Sequence, residues 1–263
     1  MNNKKKISCI ITVSSNFNFL RDAVNSLLAQ TYNNIEIVIV NDGSLKEVDK
    51  IINSINSKKI ILYNCKKIGR GKALNFGIEK STGDLISILD SDDLSHPQKL
   101  EKQIKFIENK IDVVCTNFTT DINKYNKLLN LNLTISSNKV DKRQFIFRNP
   151  ICHSSTLIKK SIFDDYLYDE NRNNLFDYDL WIRLSIDKKK FIKINEILTY
   201  KRIHDNQLYE NKKRLFYIFS TFILKLKAYK YFKKNYSDLI IIILTTIYSL
   251  IPQKIRILLM GKF

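Results

Sequence analysis

Leu85-Ile86-Ser87-Ile88-Leu89-Asp90-Ser91-Asp92-Asp93 runs an apolar segment straight into three carboxylates. A short, nearly continuous apolar run of this kind fits a strand buried on both faces. About 50 residues earlier, Ile35-Glu36-Ile37-Val38-Ile39-Val40-Asn41-Asp42-Gly43-Ser44 repeats the design: a β-branched run that ends on an acid and a turn. Two strands whose ends both carry acids place those acids on one rim if the strands are parallel.

The flanking sequence supports parallel strands. Ile7–Val13, Ile60–Asn64 and Val113–Asn117 are further strand candidates. Between them lie helical patterns. Phe19–Gln30 carries Leu20, Ala23, Val24, Leu27 and Leu28 on one face, Lys46–Ile55 and Gly71–Lys80 follow, and a helix capped by Ser95 with Pro97 in its first turn runs to about Asn109. Strand and helix alternate at short intervals, which predicts an α/β fold with a mostly parallel sheet and helices on both faces. Ligands in such sheets bind beyond the carboxyl ends of the strands. Asp121–Asn138 has no clear period and reads as an irregular excursion. Asp177–Ile186 is helical, with Leu180, Trp181 and Leu184 on one side.

Composition narrows the class. The 263 residues are 44% hydrophobic and 27% charged, ordinary values for a globular chain long enough for one sizeable core and an appendage. Five of the six glycines lie between positions 43 and 83, so special backbone geometry is concentrated there. The four cysteines form no CxxC pair, which speaks against a zinc site, and their pattern does not suggest a disulfide framework. Ile7–Val13 is too short for a signal peptide, so the expected location is the cytosol. The formal net charge is +18. About 17 Lys/Arg against about 4 Asp/Glu fall in residues 188–263, roughly +13 of that total.

Three acids in four residues repel one another unless a cation joins them. Hard oxygen ligands of this kind suit Mg²⁺ or Mn²⁺ shared with phosphate. Helix capping explains one of the acids well and three poorly.

The motifs in series resemble those of family 2 glycosyltransferases of the bacterial type. The resemblance rests on Ile7–Val13, Ser26-Leu27-Leu28-Ala29-Gln30-Thr31-Tyr32, Ile35 to Ser44, Gly69-Arg70-Gly71-Lys72-Ala73-Leu74-Asn75-Phe76-Gly77, Thr82 to Asp93, Asp177 to Leu184, and Tyr200-Lys201-Arg202-Ile203-His204. It covers roughly residues 7–207. It implies a GT-A fold and an inverting, metal-assisted transfer from a nucleoside-diphosphate sugar, with UDP as the expected nucleotide. By position in the motifs, Asp42 would bind the base, Asp90 would lie near the ribose, and Lys72 would meet the nucleotide. Asp92, with Asp93 close by, would bind Mn²⁺ or Mg²⁺, and His204 would reach the metal or diphosphate. Asp177 would be the catalytic base, and His153 would lie on the acceptor side. His96, beside Pro97, is expected at the surface or in a first helical turn without a special role, and Trp181 in the core. The sequence departs from the family pattern at Thr12-Val13-Ser14-Ser15, at Lys46, and at Phe176, where an acid usually precedes the base.

The resulting expectation is a catalytic domain over residues 1–210 and a basic, apolar helical tail over residues 211–263. Leu239–Ile251 is an apolar stretch of about 13 residues, short of the roughly 20 that span a bilayer. It reads either as an in-plane membrane anchor or as a helical pair packed on the core. The expected partners are the sugar donor, a glycan or lipid-linked acceptor of cell-surface polysaccharide synthesis, and an anionic membrane surface at the inner face of the cell membrane. The rival readings are a basic membrane- or nucleic-acid-binding protein on a degenerate fold, and a nucleotidyltransferase. The latter would want a glycine-rich loop after the first strand, and Thr12–Asn18 has no glycine.

Overall fold

The computed structural model describes residues 4–15, 17–107, 110–129, 131, 134–203, 214–233 and 235–251. Its contacts divide the chain into two units: Met1–Val140 with Ile151–Ile203, and Asp141–Pro150 with His204–Phe263.

The first unit is built on one sheet. Its strands are β1 (Ile7–Val13), β2 (Ile35–Asp42), β3 (Ile60–Cys65), β4 (Leu85–Ile88), β5 (Leu94–Ser95), β6 (Val113–Thr119), β7 (Ser137–Lys139), β8 (Leu157–Lys159) and β9 (Phe191–Tyr200). They lie in the order β3-β2-β1-β4-β8-β6-β9-β5, with β7 added against β9. The pairs among β1–β4 are parallel, as is β6 with β9, while β5, β7 and β8 pair antiparallel. Ile7 is level with both Ile35 and Leu85, so the carboxyl ends of β2 and β4 flank that of β1. Strand order reverses between β1 and β4, the place where open α/β sheets bind ligands.

Alternation along the strands explains the two faces. Ile7, Cys9, Ile11 and Val13, with Ile37 and Ile39, pack into one core with residues of α1 (Leu20–Leu28), α2 (Lys46–Ile55) and α4 (Lys99–Ile107). The intervening Ile10, Val38 and Val40 face α3 (Arg70–Lys80), which approaches so closely that a Cβ at Gly77 would lie 2.9 Å from Ile10 Cγ2.

A buried carboxylate ties this half together. Glu36 is 4% exposed. Its oxygens accept from the Ser8 hydroxyl (2.6 Å), from the Thr82 amide (2.6 Å) and hydroxyl (2.7 Å), and from the Lys6 ammonium (2.6 Å). Burial alone would raise this carboxyl; the hydrogen bonds from Lys6, Ser8 and Thr82 outweigh it and pull the group down to about 2.

Three local expectations change. The helix read from Ser95 begins at Lys99, because Leu94 and Ser95 pair with Tyr200 and Thr199 as a strand. Gln30 supplies the capping there, accepting the Leu100 amide (3.1 Å) while donating to the His96 carbonyl (2.8 Å). The excursion over 121–138 contains α5 (Ile122–Leu128) and β7. Asp121 caps α5 by accepting from Asn123 and Lys124. His96, expected at the surface or in a first helical turn, is fully buried and lies between β5 and α4. Its Nε2 faces the Leu128 carbonyl at 3.1 Å and its Nδ1 accepts the Gln98 amide, so it fastens α5 to the body of the unit.

Among the described residues, the remaining α-helix of the first unit is α7 (Phe176–Ile186). In the second unit, α6 (Gln144–Phe147), α8 (Arg214–Phe232) and α9 (Ser237–Leu250) pack on one another. No described helix is long and apolar enough to cross a membrane.

Candidate active site

The turn after β4 carries Asp90, Asp92 and Asp93. One ligand oxygen from each lies within 4.8 Å of the others, and no other group of three potential ligands of this kind occurs among the described residues. The turn is held from three directions. The Asp93 amide donates to the Asp90 carbonyl, the Asp90 amide donates to Ser154 Oγ, and Arg202 reaches over from the end of β9. Arg202 donates its backbone N–H to Asp93 Oδ1 (3.0 Å) and its Nε to the Asp92 carbonyl (3.0 Å), with its guanidinium 3.9 Å from the centre of the Phe19 ring.

The three acids occupy different environments. Asp90 is one-quarter exposed and pairs with Arg70 Nη2, and His153 Nδ1 lies 3.7 Å from the same oxygen. Burial would raise Asp90; the Arg70 charge, with His153 and Lys201, outweighs it and holds the carboxyl well below the usual range. Asp93 is 2% exposed, and burial plus the charges of Asp90 and Asp92 push it up to about 8. Its Oδ2 is buried without a hydrogen-bond partner. An orphaned carboxylate oxygen beside two other acids is the donor set that a divalent cation fits. Lys99 lies beneath this turn. It is fully buried, it donates to the Ser154 carbonyl (2.8 Å), and burial lowers it to about 8.

Arg70 is the residue that sequence reading passed over. It pairs with Asp90, and the charge of Asp90 first, then those of Asp177 and Asp92, raises its guanidinium. Asp42 positions it. The Asp42 carboxylate, 1% exposed at the end of β2, accepts the amides of Ile68 (2.6 Å) and Gly69 (3.2 Å) just before α3 begins. Gly69 holds φ +91, where a side chain would be strained. Lys72 lies two residues further along α3, about 200° round the helix. It is exposed and lines a groove of about 440 Å³ with Ile68, Phe76, Lys160 and Leu167.

Asp177 sits in the first turn of α7, after Leu175 in the left-handed conformation (φ 55, ψ 33). The segment that carries it is clamped to α3. Asn75 Nδ2 donates to the Tyr168 carbonyl (2.9 Å) and its Oδ1 accepts the Tyr168 amide (2.9 Å). A Cβ at Gly71 would meet the Asp169 carbonyl at 3.1 Å and the Phe176 ring at 3.2 Å, so the aromatic residue at 176 packs on α3. The Tyr168 hydroxyl lies 2.8 Å from His153 Nε2, continuing the chain of contacts to Asp90. Trp181 is fully buried between His153 and Phe191, in the core as expected. His204 lies outside the described residues.

Sheet topology, crossover point and acid-bearing strand ends define a GT-A domain. The family model described as "Glycosyl transferase family 2" matches residues 8–167, and the chain belongs to that family. It is 35% identical over 214 residues to an uncharacterised glycosyltransferase of Rickettsia typhi, a match covering 76% of this chain; the chain spans 65% of that relative's length. The fold is also that of S. aureus TarS 1–349 in complex with UDP-GlcNAc (TM-score 0.67, 14% identity, 90% of this chain and 70% of that one). It is similar as well to the mannosyltransferase PcManGT from Pyrobaculum calidifontis in complex with GDP-Man and Mn²⁺ (TM-score 0.63, 11% identity, 97% and 83%).

Proposed function

We propose that the chain is an inverting, metal-dependent glycosyltransferase that moves a sugar from a nucleoside diphosphate, UDP in the first instance, to a hydroxyl of a glycan or lipid-linked acceptor in cell-surface polysaccharide synthesis. The observation that carries this reading is the cluster of Asp90, Asp92 and Asp93 at the crossover point of the sheet, with the partnerless oxygen of Asp93 in it and Arg70 paired to Asp90. The neighbours bound to UDP-GlcNAc and GDP-Man support a nucleotide-sugar donor as a class, and the difference between their bases leaves UDP to be tested.

In this reading residues 1–210 form the catalytic domain and residues 211–263 the tail. Asp42 shapes the base pocket from below by fixing Ile68 and Gly69. Arg70 gives up its pairing with Asp90 to meet the diphosphate, a better matched anion for a guanidinium fork. Asp92 and Asp93, with Asp90 beside them and His204 from the chain beyond β9, would hold Mn²⁺ or Mg²⁺. Bound there, the ion supplies positive charge against the departing diphosphate. Asp177 removes the proton of the acceptor hydroxyl as that oxygen attacks the anomeric carbon from the face opposite the leaving group, which inverts the configuration. His153 orients Asp90 from the acceptor side. We place the reaction on the cytoplasmic side, with the acceptor presented at the inner face of the cell membrane.

Calorimetry with UDP, GDP and dTDP, each with and without Mn²⁺, tests the donor site on wild type and Asp92→Ala. One nucleotide should bind tightly and need both metal and Asp92. No binding of any nucleotide to a folded protein would overturn the reading in favour of a binding protein on a degenerate fold. Asp177→Asn should bind donor as wild type does and fail to transfer; normal transfer would remove Asp177 as the base.

A further inference from the structure

The second unit presents large apolar side chains to solvent. α8 and α9 form a helical hairpin. Arg214, at the start of α8, donates to the carbonyls of Ser249 (2.6 Å) and Ile251 (2.5 Å) at the end of α9, closing the open end of the hairpin and satisfying carbonyls that a helix C-terminus leaves free. Asp238, fully buried in the first turn of α9, pairs with Arg143 (2.5 Å), and Lys225 reaches Thr245 (3.2 Å). The inward faces are therefore polar-locked and occupied.

The outward faces are not polar. In α9, Ile240, Ile243, Leu244 and Ile247 are between 43% and 59% exposed. At 100° per residue they belong to an apolar arc of about half the circumference, which also takes in the exposed Ile241, Tyr248 and Leu250. In α8, Leu215 (71%) and Phe219 (60%) begin a similar stripe, which turns basic toward Lys230 and Lys233. A patch of this extent on a monomer marks an interaction surface.

Charge decides the occupant. Residues 214–250 hold six Lys/Arg and one acid, and that acid, Asp238, is the buried partner of Arg143. A second copy would bring the same positive charge to the contact, whereas a surface of phosphates would neutralise it. The 14 residues of α9 reach about 21 Å at 1.5 Å each, too short for a hydrocarbon core of about 30 Å, so the helix lies in the surface plane. We propose that the α8–α9 hairpin is an in-plane docking element for an anionic bilayer, with its apolar arcs below the headgroups and its lysines among the phosphates. The proposal rests on the glycosyl-transfer reading for its purpose, delivering the site to a membrane-presented acceptor, and on these two helices alone for its physics.

The test is flotation of the full chain with vesicles of phosphatidylcholine containing about one-third phosphatidylglycerol, against pure phosphatidylcholine. Wild type should float with the anionic vesicles, and half-molar salt should weaken the binding. Ile243→Ser with Ile247→Ser, two exposed positions, should reduce binding at least tenfold, and Lys230→Glu with Lys233→Glu should remove the preference for anionic lipid. Light scattering would show a lipid-free monomer. Flotation of both double variants at the wild-type level would overturn the proposal, as would a wild-type dimer that does not bind vesicles and dissociates when Ile243 and Ile247 are replaced. Nucleotide binding by the variants is read separately. Intact nucleotide binding with lost flotation supports the surface, and lost nucleotide binding in wild type with intact flotation defeats only the transferase reading.

Discussion

Replacing Glu36 with Gln keeps the shape of the side chain and removes its charge. The Glu36 carboxyl falls from an ordinary 4.5 to about 2 in the folded chain. At 1.36 kcal/mol per unit, that difference corresponds to about 3 kcal/mol favouring the folded state at neutral pH. The group is nearly buried, so solvent screening removes little, although the Lys6 partner is 37% exposed and its share should shrink in salt. The sign follows from proton binding. Between pH 4.5 and 2 the unfolded chain holds the proton and the folded chain does not. The contribution is therefore complete above about pH 4.5 and fades as pH falls toward 2. Urea unfolding followed by tryptophan fluorescence is the suitable assay. The chain has one tryptophan, Trp181, buried in the first unit, so the signal reports that unit and not the helices of the second. Glu36→Gln should be about 3 kcal/mol less stable than wild type at pH 7 and roughly half that at pH 3. A difference that is the same at both pH values would show that shape, not charge, sets the effect. A difference under about 1 kcal/mol at pH 7 would refute the hydrogen-bond accounting at Thr82 and Ser8.

Three further outcomes follow, two from the site and one from the sheet. Arg70→Ala should weaken nucleotide binding at least about tenfold in calorimetry, since charge-assisted hydrogen bonds carry about 1.5–3 kcal/mol, and Arg70→Lys should recover part of it. Tyr168→Phe removes one hydroxyl from His153 Nε2. The transfer rate should fall several-fold with nucleotide affinity unchanged and stability lower by about 1 kcal/mol, and an equal loss of rate and affinity would show that the contact is only structural. Gly83→Ala would put a Cβ 2.6 Å from Ser8 Oγ and 2.8 Å from the Lys6 carbonyl, and urea unfolding should show a loss of about 1–3 kcal/mol.

The half of the sheet that carries the acids was legible because its strands are buried on both faces. Ile35–Val40 has every residue buried, and such runs of branched side chains have few alternative readings. Of the other half, only β6 was, as Val113–Asn117. β8 is three residues long, and β9 alternates Lys193, Asn195 and Glu196 with apolar residues in a way that resembles a loop until β6 is placed beside it. Ser95-His96-Pro97 has the composition of a helix cap, but its neighbours Leu94 and Ser95 are claimed by Tyr200 and Thr199 more than 100 residues away, and no local signal encodes that pairing.

The same distinction governs the site. Acids at strand ends were readable because strand ends are readable. Which cation meets them was not, since Arg70 and Lys72 are equal candidates by charge and differ only in which side of α3 they leave. Lys99 shows the limit most clearly. In Lys99-Leu100-Glu101-Lys102-Gln103-Ile104-Lys105 the charged positions look like a solvated face, yet Lys99 is fully buried and Gln103 bonds the carbonyls of Val114 and Ser155. A lysine that gives up its hydration, and whose ammonium is lowered to about 8 by burial, needs a compensating partner. That partner is the Ser154 carbonyl, at 2.8 Å, on the same residue whose hydroxyl accepts the Asp90 amide. Ser154 therefore serves both the buried lysine and the acidic turn, and it meets them only after β4 and α4 have packed. Compensation of this kind is a property of the folded turn, and a reading confined to the local window around Lys99 finds only a solvated lysine.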